Sequence, residues 1–164
     1  MASRRNDSES APSHDRDELV RHLDVFFAEL RDVIQRIPRL LPAESGSGWG
    51  PFEVIGHISA WHRLTAERLG EIAAGGTGER VIDTDALNAR FVSERQGLTA
   101  DQLLGELVSS LGEMRDAALA CPAEAFRKPS GRDEGSLAFF ILASNGPEHY
   151  GEHLASLREA ALLD

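Results

Sequence analysis

Cysteine and lysine are nearly absent from this 164-residue sequence. Cys121 is the only cysteine, which excludes an internal disulfide and any metal site built from several thiolates. A single free cysteine is usually a small buried side chain, so we expect Cys121 to lie in the core. Lys128 is the only lysine, and arginine therefore carries nearly all of the positive charge.

Positive charge is also scarce overall. The chain has 27 acidic and 17 basic side chains, for a net charge of −10 at pH 7, and its arginines are distributed among acidic residues. Proteins that bind nucleic acid usually present a clustered basic patch to the phosphate backbone. We therefore predict that the protein has no nucleic-acid partner.

Long apolar segments are missing as well. No segment approaches the roughly 20 apolar residues that span a bilayer, and Arg4 and Arg5 are not followed by the apolar segment of a secretory signal. Residues 1–14 are polar and are predicted to form a disordered leader ahead of one folded domain over residues 15–164. We expect a cytoplasmic protein that has no membrane partner.

The alternating pattern of a β-strand appears nowhere, whereas apolar residues recur three and four positions apart along most of the chain. The first predicted helix begins after Asp15 and stops before Pro38. The second begins at Pro51, a residue favoured at the first helical position, and continues to Ile72. The fold class is therefore predicted to be all-α.

The second half of the chain continues the helical pattern. A short helix is predicted over residues 83–94, and a third main helix begins after Thr99, which has capping-box spacing with Gln102. The last helical region, 137–163, is interrupted near Pro147, which removes a backbone donor. Four main helices, with a short one in the long connection between the second and third, predict a four-helix bundle.

Enzymes built on helical bundles carry their chemistry on polar side chains that face other helices. His57 shares a side of the second helix with Val54 and Ile58, which points its imidazole toward the interior. His149 and His153 are four residues apart, so both lie on one face of the last helix. These three histidines are the candidate functional residues.

The other histidines are predicted to be exposed to solvent. His62 falls beside Arg63 and Glu67, and His14 and His22 lie in or near the polar leader.

Neutral imidazole is the commonest protein ligand for transition metals, and a three-histidine site leaves coordination positions open for water or substrate. The alternative is that His57 is a hydrogen-bonded core histidine and that His149 and His153 form an ordinary surface pair. The residue pattern alone leaves both interpretations open.

Two segments resemble signatures of the DinB-like metalloenzyme superfamily. WGPFEVIGHISAWH, residues 49–62, resembles its second helix, and NGPEHYGEHLASL, residues 145–157, resembles its last. Residues 82–117 are similar to the middle of ClbS/DfsB-type proteins and of mycothiol-dependent maleylpyruvate isomerase-like domains. The resemblance covers residues 15–162. It implies a DinB-like four-helix bundle in which one divalent ion, zinc or nickel, is bound by three ligands: His57, His149 and His153.

The chain also departs from both of these groups. In the mycothiol-dependent isomerases the resemblance leads us to expect a carboxylate at the position of His149, and Glu148 is one residue away and points elsewhere. ClbS-type cyclopropane hydrolases can lack the metal histidines, whereas this chain has all three. Neither reaction therefore carries over directly.

An ion held by three histidines can activate water, or it can hold a low-molecular-weight thiol such as mycothiol as its thiolate. Both reactions need a nearby acid or base. Glu152 and Glu53 are candidates for that role or for orienting the ligand imidazoles, and Tyr150 is a candidate proton donor to an oxyanion. Asn88 and Asp83 are placed to line the pocket mouth. Solvated glutamates and a packing tyrosine remain the structural alternatives.

Two functional hypotheses follow. The first is a metal-dependent enzyme that acts on a small electrophilic molecule by thiol transfer or hydrolysis, in detoxification or self-resistance. The second is a non-catalytic bundle that binds or sequesters a small molecule, or a metal-free ClbS-type hydrolase. The resemblance also leads us to expect a homodimer.

Overall fold

A computed structural model of the chain describes residues 15–44, 48–127 and 136–162. Within these ranges the regular structure is entirely helical, so the predicted all-α class is confirmed. None of the helices found there combines the length and the apolar character that crossing a bilayer requires. The predicted leader at 1–14 lies outside the described residues.

Six α-helices and one 3₁₀ turn occur in the described part of the chain. The short helix predicted over 83–94 is present between the second and third long helices, and the last predicted helix is divided in two. In chain order the elements are α1 (Arg16–Ile34), α2 (Pro51–Ala73), α3 (Thr84–Arg95), α4 (Ala100–Ala120), the 3₁₀ turn (Ala123–Phe126), α5 (Leu137–Asn145) and α6 (Pro147–Ala160).

The helices begin where local side chains cap them. The Asp15 carboxylate accepts hydrogen bonds from the backbone N–H groups of Asp17 and Glu18 at the start of α1. Thr99 and Gln102 form the predicted reciprocal capping box at the start of α4. Such caps satisfy donors that no helical carbonyl can reach, so they locate a helix start without any tertiary contact.

Helix α2 lies at the centre of the packing. It runs along α4 and also contacts α3, α5 and α6, while α1 packs mainly against α6. All residues from 52 to 62 are buried, which leaves this part of α2 without a solvent face. The long helices enclose the larger of two apolar clusters, an arrangement consistent with the predicted bundle.

The break between α5 and α6 is a close contact as well as a turn. Gly146 caps both helices, and Pro147 begins α6. A Cβ atom at Gly146 would lie 2.8 Å from the Leu142 carbonyl oxygen and 2.8 Å from Leu23 Cδ1. Because only glycine fits here, α5 can end against α1, and α6 can start in a new direction.

Cys121 is fully buried after α4, as predicted. Its Sγ donates to the Leu69 carbonyl oxygen at 3.0 Å, and burial raises the pKa of the thiol. The thiol is therefore a core side chain rather than a reactive group.

Candidate metal centre

Three imidazoles from two helices converge on one point. His57 comes from the first half of α2, and His149 and His153 come from successive turns of α6. The Nε2 atoms of His57 and His149 are 2.7 Å apart, and those of His149 and His153 are 3.0 Å apart. One ligand atom from each ring lies within 4.8 Å of the others, close enough to hold a metal ion.

Hydrogen bonds alone satisfy this cluster poorly. Nε2 of His149 faces a ring nitrogen on each side, and an imidazole nitrogen offers either one N–H or one lone pair. One of the two contacts is therefore left without a proper hydrogen bond. A cation among the three nitrogens would satisfy three lone pairs at once. Tetrahedral zinc places nitrogen ligands roughly 3.3 Å apart, compared with 2.7 Å and 3.0 Å for the two closest pairs here.

The three imidazoles are held in the neutral form that metal binding requires. Burial lowers the pKa of His57 to about 4, with a further contribution from His153 and an opposing one from Asn88. Burial, with the neighbouring histidines, lowers the pKa of His149 to about 3. The pKa of His153 is also lowered by burial, against the opposing charge of Glu152. Near neutral pH all three rings therefore keep a free lone pair.

Aromatic side chains flank the cluster. The Trp49 ring centroid is 4.8 Å from that of His57, and the Trp49 side chain is 45% exposed. The Trp61 ring centroid is 6.2 Å from that of His57, and Trp61 is buried and donates from Nε1 to Asn88 Oδ1 at 2.9 Å. Together with the half-buried His153, Trp49 forms the open side of the site.

The role of Trp49 was not predicted from the sequence. It precedes α2 and belongs to no apolar helical stripe, so periodicity gives no signal for it. Its place in the motif WGPFEVIGHISAWH was the only indication available.

Glu53 has a different role from the one predicted. Its carboxylate accepts from the backbone N–H of Ala43 at 2.8 Å and of Gly50 at 3.0 Å, and the side chain is buried. These bonds fix Gly50, which directly follows Trp49, at the start of α2. Glu53 therefore supports the backbone next to Trp49 and does not serve as a free acid or base.

The prediction that His62 is exposed is wrong. His62 has no exposed surface, and its ring lies between Ser110 and Tyr150. The prediction assumed that α2 has a solvent-exposed face beside Arg63, whereas α4 and α6 cover His62 through Ser110 and Tyr150. His22 is exposed, as predicted, and His14 lies outside the described residues.

The two predicted catalytic residues lie on opposite sides of the cluster. Tyr150 is fully buried, and its hydroxyl is 2.6 Å from His62 Nε2. Glu152 is exposed, and its charge acts on His153. The catalytic role of each stays a prediction, and the geometry favours Glu152, because the Tyr150 hydroxyl already has a partner in the core.

Of the two residues predicted to line the mouth of the pocket, Asn88 and Asp83, only Asn88 lies next to the histidine cluster. Asn88 lies beside the site through its contact with Trp61, whereas Asp83 is exposed and caps the start of α3 by accepting from the Ala86 N–H.

Comparison with known proteins gives a likeness of fold. No protein-family model matches the chain, and no curated protein matches it significantly. A solved structure of an uncharacterised protein from Escherichia coli UTI89 is similar, with a TM-score of 0.69 and 16% sequence identity. The match covers 91% of this chain and 94% of that one. The chain therefore shares its helical fold with a known structure, and this likeness carries no function.

Proposed function

We propose that the chain is a metal-dependent enzyme of the DinB-like superfamily that acts on a small electrophilic molecule. The reaction is thiol transfer or hydrolysis, in detoxification or self-resistance. The observation that supports it most directly is the convergence of three neutral imidazole nitrogens at the edge of the core. The proposed ligands of one zinc or nickel ion are His57, His149 and His153.

The ligand set favours an anionic partner. Three neutral imidazoles leave the full charge of a divalent ion uncompensated, and the half-buried position screens that charge less than bulk water does. Such an ion supplies a lowered pKa to a bound water or thiol. This supports hydrolysis, or transfer of a small thiol such as mycothiol, and requires no ligand carboxylate.

The surrounding residues fit these reactions. The Glu152 carboxylate interacts electrostatically with His153 and is exposed to solvent. It can therefore act as the base that accepts the proton lost by a thiol or water, and it can pass that proton to solvent. The exposed Trp49 ring offers an apolar face beside His57 for the carbon skeleton of the electrophile.

The test uses zinc- or nickel-loaded protein with a chromogenic alkylating agent, with and without a small thiol, and with an activated ester. We expect turnover that is lost in His149→Ala and falls on the order of a hundredfold in Glu152→Gln. The control is His22→Ala, which changes an exposed imidazole on α1.

Two results would contradict this proposal. Equal turnover by chelator-treated protein would favour a metal-free hydrolase. Binding of the electrophile without turnover would favour a sequestering protein.

A further inference from the structure

Three fully buried polar side chains connect three helices behind the metal centre. The Tyr150 hydroxyl of α6 is 2.6 Å from His62 Nε2 of α2, and His62 Nδ1 is 3.0 Å from Ser110 Oγ of α4. None of the three has exposed surface. Burying polar groups of this kind lowers the stability of the fold unless they are hydrogen-bonded. A fully paired set therefore favours the one arrangement of the three helices in which all its hydrogen bonds form.

One tautomer of His62 gives every group in this network a partner. Ser110 Oγ lies 3.1 Å from the Leu107 carbonyl oxygen, and when it donates there it accepts from His62 Nδ1–H. The lone pair on His62 Nε2 then accepts from the Tyr150 hydroxyl. Burial lowers the pKa of His62 to about 3 and raises that of Tyr150, so both stay neutral and the pattern persists across ordinary pH.

The neighbouring metal ligand lacks the support that such ligands usually have. A metal-binding histidine normally donates its other ring N–H to an acceptor, which orients the ring. Nδ1 of His149 is buried and has no hydrogen-bond partner among the described residues. The position of the His149 ring therefore depends on where α6 is placed against α2.

We infer that Tyr150, His62 and Ser110 form a positioning network that places His149 within reach of His57, an inference that rests on the proposed metal site. Tyr150 follows His149 directly on α6, and His62 lies five residues after His57 on α2. The Tyr150–His62 bond therefore joins the two helices that carry the ligands. Ser110 fixes the His62 ring from α4.

The test is titration of the full-length, untagged protein with Co²⁺, measuring both the affinity and the visible absorption of the bound ion. Removing one hydroxyl in Tyr150→Phe should weaken Co²⁺ binding on the order of tenfold, the lower end for groups that support metal ligands. The absorption spectrum should also change, because the His149 ring is no longer held in one place. Leu69→Ala, which removes a fully buried side chain elsewhere on α2, should keep the wild-type affinity and spectrum despite lower stability.

A double variant separates positioning from stability. Tyr150→Phe alone leaves His62 Nε2 buried without a hydrogen-bond partner, and His62→Leu removes that nitrogen, so the thermal stability of the double variant should exceed that of Tyr150→Phe. Its Co²⁺ affinity should stay low, because the link between the helices is still missing.

Wild-type Co²⁺ affinity and spectrum in Tyr150→Phe would overturn the inference, as would a double variant whose affinity recovers together with its stability. A wild-type protein that fails to bind Co²⁺ would instead defeat the metal proposal, and this inference with it.

Discussion

His62 is an imidazole with no exposed surface, and burial lowers its pKa to about 3. In the unfolded chain the pKa of a histidine is about 6.5. Below that pH the unfolded state binds a proton at His62, whereas His62 in the folded state stays neutral. The stability contributed by neutral His62 is thus fully present above pH 6.5 and is lost as the pH falls from 6.5 toward 3.

We therefore predict that acid destabilises the wild type more steeply than the His62→Leu, Tyr150→Phe double variant. The difference in slope should reach about 1.4 kcal/mol per pH unit, the maximum for one proton. Urea denaturation at pH 7.0 and pH 5.5 measures it, with metal removed from both proteins. Parallel loss of stability in the two proteins would show that His62 titrates normally in the folded state.

Thr65 is another buried polar residue on α2, and its hydroxyl has no hydrogen-bond partner among the described residues. Its Oγ1 makes no hydrogen bond to any described residue, and the side chain has no exposed surface. Thr65→Val keeps the shape and removes the unpaired hydroxyl, so we expect a gain in unfolding free energy of about 1 kcal/mol. Ser110→Ala should have the opposite effect, because it leaves the His62 N–H without an acceptor. Chemical denaturation of both variants tests this, and a loss in Thr65→Val would contradict it.

At the scale of elements, the direction of α6 depends on Gly146. A Cβ at this position meets the Leu142 carbonyl and Leu23, so Gly146→Ala must move α6 or α5 and should cost about 1–3 kcal/mol. Metal affinity should fall with it, because α6 carries two of the three ligands.

Gly151→Ala is the matched control on the same helix. Gly151 lies between His149 and His153, is exposed, and has open space where a Cβ would be. Alanine is the better helix former, so this variant should gain roughly 0.5–1 kcal/mol and keep its metal affinity. Thermal unfolding and Co²⁺ titration distinguish the two variants, and equal effects would contradict the role given to Gly146.

The helices could be predicted because their signals are local. Asp15, Thr99 and Pro51 mark helix starts through bonds or ring geometry within one turn, and Gly146 with Pro147 marks a break in the same way. The environment of α2 was predicted less well. Helical periodicity assumes that a helix has one buried face and one solvent-exposed face, whereas the first half of α2 is buried on all sides. For this reason His62 was wrongly predicted to be exposed.

At the scale of the whole molecule, the candidate site joins parts of the chain that are far apart in sequence. His57 and His149 are 92 residues apart, yet their Nε2 atoms are 2.7 Å apart. The spacing of His149 and His153 predicted that this pair shares a face, and the apolar neighbours of His57 predicted that its imidazole faces the interior. No local rule predicts that α2 brings His57 to that pair; the resemblance to the DinB-like superfamily implied the full ligand set. The loop that brings Trp49 to His57 has no periodic signal at all.

An ion held by both α2 and α6 should stabilise the entire fold. A ligand that binds only the folded state adds about 2.7 kcal/mol when present at 100 times its dissociation constant. We therefore expect zinc or nickel to raise the melting temperature of the wild type and to leave that of His153→Ala unchanged. An equal shift in both proteins would place the metal elsewhere.

The metal content of the purified, untagged protein tests the central claim most directly. Elemental mass spectrometry of the wild type should give about one zinc or nickel ion per chain, the stoichiometry of a single three-histidine site. His57→Ala and His153→Ala should contain none, while His22→Ala should match the wild type. Absence of metal from the wild type, even after incubation with zinc and nickel, would contradict the account and leave the three histidines as a polar cluster at the edge of the core.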